Sequence, residues 1–144
     1  MLSSAILLVA AATFGGHLSY VGGTRSDLAQ GWSGVIDSSD DKYLVFAAKR
    51  ASFRVPYDKV NLLEYGQKVN HRYLLAIAIS PVFLAAKKRQ HFLTIGYQDE
   101  EGKQQAVLFR VEKSDIRSVL VTLEARTGLR VEYQDDEARR SPKG

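Results

Sequence analysis

The sequence contains no cysteine, which excludes disulfides, thiolate zinc sites, cysteine nucleophiles and a lipoprotein anchor. It also lacks an apolar run long enough to span a bilayer. Its most conspicuous uncharged internal stretch, Tyr73 to Ala86, covers fourteen residues. As a straight helix that is ~21 Å, against a hydrocarbon thickness of ~30 Å. The three histidines, His17, His71 and His91, form no close-spaced ligand pair, so no metal site is expected. Gly15, Gly16, Gly22 and Gly23 are not followed by Lys-Ser/Thr or a helix start, as a phosphate loop requires. GWSGV around Ser33 brings its last glycine one residue too early for a nucleophile elbow. Asp99-Glu100-Glu101 is a carboxylate cluster in a hairpin turn, which makes it a solvated tip rather than an acid/base pair. The chain is therefore read as non-enzymatic, with no cofactor and no evident small-molecule substrate.

Charge is missing from Met1 to Thr24 as well. Within it, AILLVAAA (Ala5 to Ala12) has the length of a signal-peptide apolar region, and Ala10 and Ala12 allow cleavage after Ala12. No Lys or Arg precedes the run. An uncleaved anchor and a buried first element are the competing readings. Export is the expectation, giving a periplasmic or envelope-associated protein. The remainder is one domain's worth of an ordinary globular composition, 45% hydrophobic and 25% charged. A net charge of +4 favours anionic partners without selecting one. The expected division is residues 1–14 as signal peptide or apolar segment and 15–30 as a Gly/Ser/Thr-rich linker. Residues 31–134 follow as the domain and 135–144 as a disordered charged tail.

Strands are expected at Trp32 to Ile36 and Tyr43 to Ala48, separated by an SSDD turn at Ser38 to Asp41. In ASFRVPY, Phe53 and Val55 alternate with Ser52 and Arg54, the period of a half-buried strand. Pro56 ends it, having no N–H for a ladder. Lys59 to Val69 gives another strand. His91 to Tyr97 and Gln105 to Val111 form a hairpin around Asp99 to Gly102. Ser114 to Gly128 is the clearest helix. Ser114 is the expected N-cap, Ile116, Val119, Leu120 and Leu123 form one apolar face, and Gly128 is the left-handed terminator. Arg130 to Tyr133 adds a last short strand. The fold class is α+β: an antiparallel, strongly bent sheet or partly open barrel, with a C-terminal amphipathic helix over its open end.

The succession FRVPYDKV, two hairpin strands and SDIRSVLVTLEARTG resembles the bacterial PH-like (pleckstrin-homology-like) domains. The pieces EYGQKV, KKRQHFLTIGYQDEEGKQQ and LEARTGLRVEY are similar to small exported bacterial proteins that carry such a domain, across Ser33 to Tyr133. The resemblance implies a PH-like binding or interaction module. Eukaryotic members often bind phosphoinositides through a basic β1–β2 loop. The loop expected here, Asp37-Ser38-Ser39-Asp40-Asp41, is acidic, so that activity does not carry over. Tyr57, Tyr65, Tyr97, Phe92 and Phe109, with Arg54 and Arg110, have the composition of a base-stacking surface. Aromatics in alternating strands are normally core or cross-strand residues, and nucleic acid is not an expected partner.

RYLLAIAISPVFLAAKKR (Arg72 to Arg89) is expected to be an apolar helical insert at about 73–86, two short elements hinged at Ser80-Pro81. Leu74, Leu75, Ile79, Val82, Phe83 and Leu84 form the candidate interaction surface, with Lys87, Lys88 and Arg89 as its basic flank. Three uses stand: contact with an anionic membrane surface, contact with a protein partner or a second copy, or packing inside the chain's own core.

Overall fold

A computed structural model describes residues 15–25, 27–68, 78–79 and 90–143. Among them the architecture is α+β, with nine strands in one open sheet and two short helices. The first strand, β1 (Gly15–Gly23), occupies the segment expected as a linker. Leu18 and Tyr20 point into the main core, and the alternate residues His17 and Ser19 point away from it. Through its first half β1 pairs with β2 (Ser33–Asp37), and through its second with β8 (Gln104–Val111). Gly23 is a packing residue: a Cβ there would lie 2.6 Å from the Ala106 carbonyl oxygen, so only glycine lets the β8 backbone approach.

The meander continues through β3 (Tyr43–Ala48) and β4 (Ser52–Pro56). A 3-10 turn (Tyr57–Lys59) leads to β5 (Val60–Gly66), then come β6 (Ala78–Ile79), β7 (His91–Gln98) and β9 (Glu132–Tyr133). The sheet order is β4-β3-β2-β1-β8-β7-β5-β9, with β6 pairing to β1 off this path. Only Ala78 and Ile79 of the expected helical insert are described. They are extended and antiparallel to Gly23 and Gly22.

Aromatic contacts measure how far the sheet bends. β4 and β8 stand four ladder spacings apart, ~19 Å in a flat sheet. Yet the Phe53 and Phe109 rings stack with centroids 6.3 Å apart. Phe46 on β3 touches both, at 5.7 and 5.0 Å. The sheet thus curls around its own aromatic centre, while β4 and β9 remain unjoined at its ends.

Helix α1 (Ile116–Thr127) closes this centre with the four residues that sequence periodicity selects, Ile116, Val119, Leu120 and Leu123. Gly128 terminates it with φ 73°. The start differs from expectation. Asp115 is the N-cap residue, and Ser114 donates to its carboxylate instead of accepting from the helix. Asp115 itself accepts from the His17 backbone N–H at 2.8 Å, which pins the helix start to β1. The expected disordered tail also has structure. Asp135 accepts from the Ala138 N–H at 2.7 Å and caps α2 (Asp136–Arg140), whose Ala138 is buried in the main core. Acidic residues in the first turn and arginines in the last complement the helix dipole.

Candidate functional site

Beside the β7–β8 hairpin lies a cleft of about 680 Å³. Four separate stretches of chain build it. The β1–β2 connection supplies Arg25 and Asp27, β3 and β4 supply Tyr43 and Arg54, the 3-10 turn supplies Lys59, and the β7–β8 hairpin supplies Tyr97 to Glu101 and Lys103. Among the described lining residues there are four cations (Arg25, Arg54, Lys59, Lys103) and four carboxylates (Asp27, Asp99, Glu100, Glu101).

Arg25 is held from three sides. Its Nε donates to Asp27 Oδ1 at 2.8 Å, and Nη2 donates to the other carboxylate oxygen. Its guanidinium lies over the Phe53 ring, 4.9 Å from the centroid, the geometry of a cation–π contact. Tyr20 donates from below to the Arg25 carbonyl at 3.2 Å. The pairing to Asp27 pushes the arginine pKa up and holds the aspartate below the usual carboxylate range. Burial, reinforced by the Asp27 charge, pushes the Tyr20 phenol up to about 12. Burial also raises Tyr97, partly countered by Arg25. Arg54 likewise lies over the Tyr43 ring, 4.7 Å from its centroid.

The acidic rim is ordered by its own backbone. Asp99 Oδ1 accepts from the Glu101 and Lys103 N–H groups at 2.9 and 2.8 Å, and Gln105 donates to Oδ2 at 2.8 Å. These bonds, the one from Gln105 foremost, hold Asp99 in its anionic form. The lining therefore carries both signs side by side: Arg25 is paired with Asp27 and Lys103 with Glu101, while Arg54 lies on the Tyr43 ring and Asp99 is fixed in its turn. Such a lining is complementary to a ligand bearing both charges.

The turn Asp37 to Asp41, expected as the β1–β2 loop, joins β2 to β3. Its carboxylates serve the turn itself, Asp37 accepting from Ser39 N–H and Asp40 from Lys42 and Tyr43 N–H. Asp41 pairs with Arg126 at the end of α1, 2.8 Å away. The true β1–β2 connection carries a paired Arg25 and Asp27 rather than a basic cluster. His17 is bonded to Asp115, and His91 Nδ1 lies 2.5 Å from the Tyr65 hydroxyl, which donates to Ser141. His71 lies outside the described residues.

Leu74, Leu75, Val82, Phe83, Leu84, Lys87, Lys88 and Arg89 likewise lie outside the described residues, and Ile79 enters only as a backbone partner of Gly22. Sequence reasoning did not single out Arg25, Asp27, Tyr43 or Lys59 as site residues. The spacing R-x-D was the one local signal, since two residues apart is within reach of a bidentate pair. No family model matches the sequence, and no curated protein matches it.

Proposed function

We propose that the chain is a non-enzymatic PH-like binding module of the cell envelope. In this reading it takes a partner polypeptide with charges of both signs into the cleft beside the β7–β8 hairpin. The observation carrying this reading is the gathering of four cations and four carboxylates around one cleft of about 680 Å³. The PH-like assignment is supported by a strongly bent, mostly antiparallel sheet, to which β9 adds in parallel beside β5, with α1 packed against its core. A phosphoinositide headgroup is disfavoured because Asp99, Glu100 and Glu101 share the site with the cations.

Amide shifts in a titration with an alternating lysine–glutamate decapeptide test the site. Arg54, Tyr97 and Gln105 are expected to move, and the double variant Arg54→Glu/Lys59→Glu to stay silent. Equal shifts with inositol trisphosphate, or none with the decapeptide at millimolar concentration, would overturn the reading. The envelope location rests on the Ala5–Ala12 run. Intact mass of the native protein is expected to show a chain beginning at Thr13, and a full-length soluble cytoplasmic species would remove that part of the proposal.

A further inference from the structure

Strand β4 ends the sheet on one side, and its ladder with β3 fixes which of its backbone groups are free. The Tyr57 N–H donates to the Lys42 carbonyl at 2.9 Å, and the Ala48 N–H to the Ala51 carbonyl at 2.8 Å. Both pairs continue the β3–β4 register, in which Leu44 faces Val55, Val45 faces Arg54 and Phe46 faces Phe53. Bonded and non-bonded pairs alternate along an antiparallel ladder, so Phe53 and Val55 direct their backbone groups to β3. The N–H groups of Ser52 and Arg54, and the carbonyls of Ser52, Arg54 and Pro56, turn to the other side. Ser52 and Arg54 are exposed, and among the described residues no strand pairs with that side. Pro56, which has no N–H, falls where its missing donor costs no bond to β3.

An open edge of this kind is a template for an added strand, and its surroundings say what that strand carries. Arg54 and Pro56 also line the cleft beside the β7–β8 hairpin, together with Lys59. Lys49 and Arg50 stand in the turn that leads into β4. A second copy paired through β4 would bring Arg50 and Arg54 of both copies together, which like-charge repulsion opposes. A strand with a carboxylate opposite Arg54 meets the opposite sign instead. Asp99, Glu100 and Glu101 in the same cleft suit a cation elsewhere on that strand.

We infer that the partner polypeptide binds as an extended strand antiparallel to the free edge of β4, with an acidic residue opposite Arg54. This mode of binding rests on the cleft being a polypeptide site, and it fixes the conformation and register of the bound segment. The N–H and carbonyl of the acidic residue bond to Arg54, and those of its two neighbours point away from the sheet.

Amide hydrogen exchange in the full chain, read residue by residue, tests the edge with the alternating lysine–glutamate decapeptide as probe. Without peptide, Ser52 and Arg54 should exchange fast while Phe53 and Val55 are protected; with it, exchange at Ser52 and Arg54 should slow at least ~10-fold. The ligand supplies a second measurement that leaves the protein unaltered. Methylating the glutamate backbone nitrogens removes the donors that face β4 and should weaken binding at least ~10-fold, whereas methylating the lysine nitrogens should change it less than ~3-fold. Fast exchange at Ser52 and Arg54 in the bound protein, or equal losses from the two methylated peptides, would overturn strand addition and leave the cleft reading standing. Slow exchange at these amides before peptide is added would show the edge already covered and overturns it too. Protection that appears only as protein concentration rises would assign the edge to a second copy instead. No binding of the unmethylated decapeptide removes the cleft reading and strand addition together.

Discussion

Replacing Phe53 and Phe109 by Leu, singly and together, tests whether the sheet curls as described. Each single change keeps most of the apolar area buried and is expected to cost ~1 kcal/mol. The stacked rings, 6.3 Å apart and 4° from parallel, carry an extra ~0.5–1.5 kcal/mol that exists only when both are present. The double variant should therefore be less destabilised than the sum of the singles by that amount. In a flat sheet the two strands would be ~19 Å apart, and residues beyond ~10 Å add within ~0.3–0.5 kcal/mol. Urea unfolding followed by tyrosine and tryptophan fluorescence gives all four stabilities. Pairing Phe53→Leu with Tyr133→Leu is the control, since the Tyr133 ring meets Tyr65 instead. Strict additivity for Phe53 and Phe109 would refute the bend, and with it the cleft that the bend creates.

Leu120→Ala should cost ~2–5 kcal/mol in the same melts, whereas Val121→Ala, at 58% exposure, should stay within ~0.5 kcal/mol; equal effects would overturn the assigned helix face. Asp135→Ala removes the α2 cap and is expected to lower stability by ~0.5–2 kcal/mol and to expose the C-terminus to carboxypeptidase. Unchanged digestion would show that the cap is dispensable. Burial, helped by the Lys113 charge, depresses the His91 pKa below its ordinary 6.5. The unfolded chain therefore binds the proton first, and the stability held above pH ~6.5 declines as pH falls toward the folded value. The drop in urea midpoint between pH 7 and 5 should shrink in His91→Gln, and an undiminished drop would acquit the residue.

Local signals were enough for β3, β4, the β7–β8 hairpin and α1: composition for β3, alternation in β4, a polar Gly-containing turn for the hairpin and helical spacing in α1. Phe53 and Val55 are buried where alternation puts them, and Leu120 and Leu123 where helical spacing does. β1 was illegible for a specific reason. Glycine signals turns on average, but Gly23 is required by the approach of β8, which no local pattern records. The tail was misjudged from its charge, although Asp135 and the acid-then-base order around Ala138 are a helix signature. The cleft was beyond reach because Arg25, Arg54, Lys59 and Asp99 meet only after the sheet has bent.

The double role of β1 has a consequence for how the molecule comes into being. β1 pairs with its neighbour β2 but also with β8, and its His17 N–H waits for Asp115, 98 residues later. At ordinary synthesis rates of ~5–20 residues per second, that partner arrives roughly 5–20 s after β1. During this interval β1 to β4 can form a meander, yet one edge of β1 stays unpaired and the aromatic centre lacks Phe109 and the helix. Closure of such a distant pairing is the slow kind of folding event. The nascent chain thus passes through a long window as a sticky half-sheet, and whatever holds it in that window governs the yield of folded protein.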